Sequence, residues 1–225
     1  MKKFFILIIV LFSSNVLAHM EHYNKYNKIE MDIFRNGELI GYNYYFFTKK
    51  GNETTVTNQI NFSVKVFGAT IFQVEGYGEE KYLKDQLISY DSKTLQNDKE
   101  KFVNLVFDKD KNKFNIKGSS YSGVASIDNI IGNWWSHKIL QTNSQISPIS
   151  GSIKEQIVTF VGKEKIEQNG QIYEVDHFKL NSKDMSLSKD KRLDFDIWFD
   201  KKNSMIIKVS YSRMGNWEYR LKNFK

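Results

Sequence analysis

The stretch Thr55-Val56-Thr57-Asn58-Gln59-Ile60-Asn61-Phe62-Ser63-Val64-Lys65-Val66-Phe67 decides the fold class. Val56, Ile60, Phe62, Val64 and Val66 alternate with Thr57, Gln59, Asn61, Ser63 and Lys65, and only Asn58 breaks the apolar row. A period of two over thirteen residues is a half-buried β-strand, since successive side chains of a strand leave on opposite faces. Outward from it the same period recurs. Ile29, Met31 and Ile33 alternate with Glu30 and Asp32; Leu193, Phe195, Ile197 and Phe199 with Asp194, Asp196, Trp198 and Asp200; and Trp217, Tyr219 and Leu221 with Glu218 and Arg220.

Short turn signals punctuate these runs: Asn36-Gly37, Lys50-Gly51-Asn52, Asp110-Lys111-Asn112, Asn169-Gly170 and Lys201-Lys202-Asn203. Asn and Gly tolerate the positive φ that tight hairpins demand. Connections this short join only antiparallel neighbours, so the chain reads as an antiparallel meander of about ten strands. Several strands are apolar on both faces, as between Leu39 and Phe47, with Ile40, Tyr42, Tyr44 and Phe46 on one face and Leu39, Tyr45 and Phe47 on the other. Such a strand needs cover twice. The expectation is therefore an all-β, strongly curved sheet, an open or closed β-barrel, whose bends fall at Gly41, Gly68, Gly76, Gly78 and Gly162. Residues Ile127 to Pro148 form an insert across its opening. Within it Ile130, Ile131, Trp134, Trp135 and Leu140 fit one side of a short helix.

Composition narrows the class. The 225 residues hold 33 Lys and Arg against 26 Asp and Glu, one Pro and no Cys, with 15% aromatic residues, which excludes disordered, collagenous and disulfide-stapled chains. Lys2 and Lys3, the apolar run Phe4 to Phe12 and the small-residue site ending at Ala18 read as a secretory signal peptide over residues 1–18, leaving a single β domain over 19–225. The apolar run is well short of the ~20 residues that span a bilayer, so the chain from His19 is expected to be exported, periplasmic or secreted, with no transmembrane segment after cleavage. With no Cys, a lipid anchor on a cysteine sulfur is unavailable. Cations and acids interleave, as in Lys189-Asp190-Lys191-Arg192, which argues against a nucleic-acid face.

The order of several short motifs is familiar. Asn36-Gly37-Glu38-Leu39-Ile40-Gly41, Lys84-Asp85-Gln86-Leu87 leading into Tyr90, Gly132-Asn133-Trp134-Trp135, Asn169-Gly170, Ile197-Trp198-Phe199-Asp200 and the closing Trp217 to Leu221 strand resemble a group of exported bacterial β proteins known as DUF6134, with DUF3108 as a more distant look-alike. The resemblance covers nearly all of the chain beyond residue 18. It implies a curved antiparallel sheet similar to the β-clam carriers of lipids or lipoproteins, and no catalytic residues.

The candidate site follows from the aromatic residues. Trp134, Trp135, Tyr42, Tyr44 and Phe46 are expected to line the concavity and to hold an apolar or amphipathic molecule, lipid-like, or an envelope component, with no cofactor and no resident metal. Two other chemistries fit residues of the chain. Asp194 and Asp196, about 7 Å apart on one strand face, match the spacing of an inverting glycosidase pair, with His137 as a further base for hydrolysis of envelope glycans or lipids. Strand alternation favours the plainer role in which Asp194, Asp196 and Asp200 keep the outer face soluble. A chain starting at His19 also presents an α-amino group and imidazole that suit Cu(II), with His22, His137 or His177 as a third nitrogen. A third role, structural or in assembly, needs no cavity at all.

Overall fold

The computed structural model describes residues 19–225, so the leader expected at 1–18 lies outside the described residues. Fifteen strands follow a short 3-10 turn at His19–Tyr23. They are β1 (Lys28–Arg35), β2 (Glu38–Lys50), β3 (Glu53–Val66), β4 (Ala69–Leu83), β5 (Gln86–Gln96), β6 (Lys99–Asp108), β7 (Lys113–Gly118), β8 (Ser122–Ser126), β9 (Ile130–Ile131), β10 (Ser144–Ile146), β11 (Ile153–Gln168), β12 (Gln171–Ser182), β13 (Asp194–Asp200), β14 (Met205–Ser212) and β15 (Asn216–Phe224).

All fifteen join one sheet in the order β8-β7-β6-β5-β4-β3-β2-β1-β15-β14-β13-β12-β11-β10-β9. Every ladder is antiparallel except the two-residue parallel pair of β9 with β10. The first and last long strands meet at the centre, where Met31 faces Leu221 and Ile33 faces Tyr219. The sheet is open, with β8 and β9 as its edges. The strand total exceeds the ten expected because elements as short as β9 and β10 carry no readable period.

Curvature follows from the cavity walls. Residues of β5 and of β14 line one cavity although six strand steps separate them, about 29 Å on a flat sheet at ~4.8 Å a step. Phe62 of β3 and Trp217 of β15 likewise touch at 5.5 Å between ring centroids. Rows of one parity form the inner face: Ile29, Met31 and Ile33 of β1, Val56, Phe62 and Val64 of β3, and Trp217, Tyr219 and Leu221 of β15 are all buried. Their removal from water, at roughly 25 cal/mol per Å² of apolar surface, is the main force that closes the sheet on itself.

The glycines act where the sheet wraps. A Cβ at Gly41 would lie 2.1 Å from the Asn61 carbonyl oxygen, so only glycine lets β2 cross β3 this closely. Gly162 sits at the register shift between β11 and β12. Gly68 differs from expectation: it is the second residue of the β3–β4 turn, with φ +82°, and not a bend within a strand. The helix expected over 127–140 is also absent. Ile130 and Ile131 pair with Gln145 and Ile146 as strand, and the helical part is confined to one 3-10 turn, His137–Leu140, whose His137 N–H donates to the Tyr23 hydroxyl and whose Lys138 N–H donates to Ser136 Oγ. The side-by-side isoleucines gain more from a β ladder than from an amphipathic stripe with Gly132 and Asn133 in its middle.

Candidate functional site: a polar and aromatic cavity under Trp134

The insert between β8 and β11 lies across the inner face and is pinned there by buried polar groups. Gln156, 1% exposed, donates through Nε2 to the carbonyls of Ile139 (2.8 Å) and Thr142 (3.0 Å), while Gln145 Nε2 donates to its Oε1 at 2.6 Å. From the opposite wall Tyr90 and Ser92 donate to the Pro148 carbonyl at 3.0 and 2.7 Å. At the rim Ser120 N–H donates to the Ser150 carbonyl, which brings the β7–β8 turn against the insert.

Beneath the insert is a cavity of about 210 Å³. Trp134, Phe195, Tyr211 and Tyr219 form one wall; Tyr77, Tyr90, Ser92 and Thr94 another; Asn43, Tyr45, Asn58 and Asn133 the floor, with Arg213 at one end. Trp134 meets Phe195 edge-on at 5.1 Å and Tyr219 at 6.1 Å. The floor is a connected network. Asn58 donates to Asn43 Oδ1 (2.5 Å), Asn43 donates to the Tyr45 hydroxyl (2.7 Å), and that hydroxyl also accepts the Trp134 backbone N–H (3.2 Å). Gly76 and Gly78 of β4 leave the room: a Cβ at either would come within about 3 Å of Ile60 or Tyr90.

A second network lies deeper. Glu80, 3% exposed, accepts from Asn133 Nδ2 (2.6 Å) and Trp135 Nε1 (2.9 Å) on Oε1 and from the Tyr82 hydroxyl (2.5 Å) on Oε2. Burial pushes its carboxyl above the ordinary value, and these donors only partly offset that. Trp135 itself is core, packed edge-on against Tyr23 (4.9 Å), Phe47 (5.4 Å) and Tyr82 (6.0 Å).

The five aromatic residues expected at the concavity therefore divide. Trp134 lines the cavity and Trp135 lies beneath it, but Tyr42, Tyr44 and Phe46 are on the outer face. The reason is the strand period: β2 exposes both parities to apolar neighbours, and Asn43, Tyr45 and Phe47 are the ones turned inward. On the outer face Tyr42 stacks on Tyr44 at 4.4 Å, and Lys28 Nζ lies 4.9 Å from the Tyr44 ring and 5.1 Å from that of Phe46. Sequence reading missed Asn43 and Asn58. The signal was present, since Asn58 is the single break in the apolar row of β3.

The carboxylate pair also has a definite place. Asp194 and Asp196 share Lys179, at 2.7 and 2.9 Å, and Asp196 further contacts His177 Nε2 at 3.0 Å. Burial alone would raise the Asp196 carboxyl, but hydrogen bonds from Lys179 and His177 outweigh it and hold the group below its ordinary value. A general acid needs the opposite shift. His137 does not join them. It sits on the inner side, its Nδ1 2.8 Å from the Tyr23 hydroxyl and its pKa brought down to about 4 by burial, by His22 and by Lys138. Asp200 does not serve as an exposed solubilising charge: it is 5% exposed and accepts from Lys202 N–H and Asn203 Nδ2 of the turn that follows it.

Of the histidines considered for a chelate, His22 and His137 have ring centroids 5.3 Å apart, whereas His177 is on the outer face between Glu164 and Asp196. Among the described residues no group of three or more His, Cys, Asp or Glu is arranged to hold a metal. A larger groove of about 670 Å³, between the β11–β12 hairpin and the Asp200–Asn203 turn, is open and charged. Its Asp176 and Glu174 are already paired with Lys201 (2.5 Å) and Lys165 (3.1 Å).

Comparison with known proteins bears on the fold. The family model of DUF6134, a domain of unknown function, matches residues 31–222. No curated protein matches the sequence. Among solved structures, a β-barrel-like protein of the domain of unknown function DUF1849 from Brucella abortus superposes with a TM-score of 0.59 at 8% identity, covering 88% of this chain and 96% of that one. A protein with YmcC-like fold from Bacteroides fragilis gives a TM-score of 0.37 at 10% identity, over 88% and 94% of the two chains. A DUF1329 family protein from Desulfovibrio piger gives 0.27 at 11%, over 92% and 88%.

Proposed function

We propose that this chain, which belongs to the DUF6134 family, is an exported binding protein that takes part of an amphipathic molecule into the cavity under Trp134 and acts by holding it rather than by transforming it. The observation that carries this reading is the lining itself. Four aromatic residues on one wall face a floor of three asparagines, so one side of a guest meets rings and the other meets amide donors and acceptors. That division of apolar body from precise polar contacts is the usual chemistry of small-molecule sites. At about 210 Å³ the space is smaller than the roughly 300–1,000 Å³ that engulfs a drug-sized ligand, so it suits a ring, a head group or the end of a chain, with the remainder of the guest outside.

The leader-like segment at 1–18 supports export, and the inert pairing of Asp194 and Asp196 with Lys179 supports binding over hydrolysis. The test is native mass spectrometry, without detergent, of the chain purified from the host envelope, repeated after incubation with an envelope lipid extract. A retained small mass that the Trp134→Ala variant holds at least about tenfold more weakly is the expected result. A bare polypeptide mass in both conditions, or a retained mass indifferent to Trp134→Ala, overturns the reading.

A further inference from the structure

Among the described residues, four turns put a residue and the glycine after it at positive φ; two carry Asn first, and two, Phe67-Gly68 and Met214-Gly215, carry a bulky apolar residue. Asn36-Gly37 and Asn169-Gly170 place Asn and then Gly at positive φ, 50° and 86° in the first and 53° and 73° in the second. These are the residues that tolerate this geometry. The β3–β4 turn has the same shape with Phe67 at 48° and Gly68 at 82°. A bulky side chain in the left-handed region is disfavoured by sterics, and this one is fully exposed, at 105%. Phe67 is thus held against both local preference and the hydrophobic effect.

The turn also projects. β3 pairs with β2 only as far as Phe62, β4 pairs with β5 only from Val74, and Gln73 is the last residue tied to a neighbour, through Asn97 at 2.9 Å, so residues 63–72 stand beyond both neighbours as a two-stranded finger. Its base is anchored by Val64 and Phe72, which pack on the core. Its tip is bare: Val66, Phe67 and Ile71 are exposed.

The hairpin alternation puts further tips at the same end of the sheet: the Asn36-Gly37 turn, the Arg213–Gly215 turn with Met214 at 87% exposure, and the 183–193 connection with Met185 at 59%. Around them Lys65, Lys99, Lys154, Lys183, Lys189, Lys191, Arg192 and Arg213 outnumber Asp98, Glu100, Glu155, Asp184 and Asp190, while Arg35 and Glu38 balance each other. Apolar points set among excess cations complement a surface that is anionic outside and apolar beneath.

We propose that this end of the molecule, led by the Phe67 finger, docks on the surface of an anionic phospholipid bilayer. Phe67, Val66 and Ile71 enter the boundary between head groups and acyl chains, and the surrounding lysines and arginines lie against lipid phosphates. Separate convex tips suit a fluid surface that deforms around each of them, whereas a folded partner would need a matching pocket for every one. The inference goes beyond the ligand reading and does not depend on it, although Arg213 lines the cavity and belongs to this same end.

The test is co-sedimentation of the chain from His19, which contains the whole sheet, with vesicles of phosphatidylglycerol and of phosphatidylcholine. Binding to phosphatidylglycerol that salt weakens, little binding to phosphatidylcholine, and a drop of roughly tenfold in partitioning for Phe67→Asn are expected. Because Asn is the residue this turn geometry favours, Phe67→Asn should melt at or above the wild-type temperature, which separates lost docking from lost fold. In the Phe67→Trp variant, fluorescence quenching by bromine-labelled acyl chains, beyond that of the wild-type tryptophans, is expected. Equal binding by Phe67→Asn and wild type, equal binding to both lipids, no binding to either, or no added quenching in bound Phe67→Trp overturns the proposal. So does lipid-free self-association that depends on Phe67, which would assign the finger to a second copy of the chain.

Discussion

Glu80 shows how much of this protein depends on single buried polar groups. Its carboxyl serves Asn133, Trp135 and Tyr82 at once and so fastens the insert to β4. Replacement by Ala removes the buried carboxylate oxygen that accepts from Asn133 Nδ2 and Trp135 Nε1, and a loss of about 3 kcal/mol is expected in urea denaturation. Glu80→Gln keeps an acceptor for both and removes a charge that burial disfavours, so its stability should stay within about 1 kcal/mol of wild type. The pH dependence has a definite sign. Burial raises the folded-state pKa of Glu80 above its ordinary 4.5, so the stability this group contributes is complete below that value and is lost as pH rises through the folded-state value. Glu80→Gln should therefore gain on wild type as pH is raised from about 4 to about 7, and a constant difference across that range would contradict the assignment. None of this was readable from Glu80 itself, which in the sequence is one acid in a run of Glu79, Glu80 and Lys81.

At the scale of elements, the period of two located the long strands because each faces a core on one side and water on the other. It is silent about which parity turns inward when both are apolar. β2 is that case, and there the candidate residues Tyr42, Tyr44 and Phe46 fell on the outer face while Asn43 and Tyr45 took the inner one. Turn chemistry was legible where Asn-Gly announced it and illegible at Phe67-Gly68 and Met214-Gly215, where a bulky apolar residue occupies the left-handed position. Gly41 marks the tightest crossing of two strands. Gly41→Ala drives a Cβ into the Asn61 carbonyl and the Phe62 backbone, and a lowered urea midpoint equivalent to about 2–3 kcal/mol is expected, since the β3 backbone cannot yield cheaply.

At the scale of the whole molecule, the sheet is held at its middle by strands from opposite ends of the chain, β1 and β15. Deletion of residues 216–225 uncovers the inner row of β1 and severs the sheet into two unequal parts, so the single cooperative thermal transition should vanish and a dye for exposed apolar surface should bind. A truncated chain that still melts sharply would show that each part carries its own core. By itself, the sequence determined an all-β antiparallel chain with hairpin turns and a sheet too apolar on both faces to stay flat, because these are consequences of local periodicity and of the residues that turns require. It also contained the order of motifs that resembles the DUF6134 family. Only the tertiary structure decided that the sheet stays open, that Trp134 faces a cavity while Trp135 is core, that Asp196 is paired, and that a phenylalanine crowns a projecting finger. Those outcomes depend on which residues meet across six strands of a curved sheet, and such meetings are set by register and curvature, which no single strand encodes.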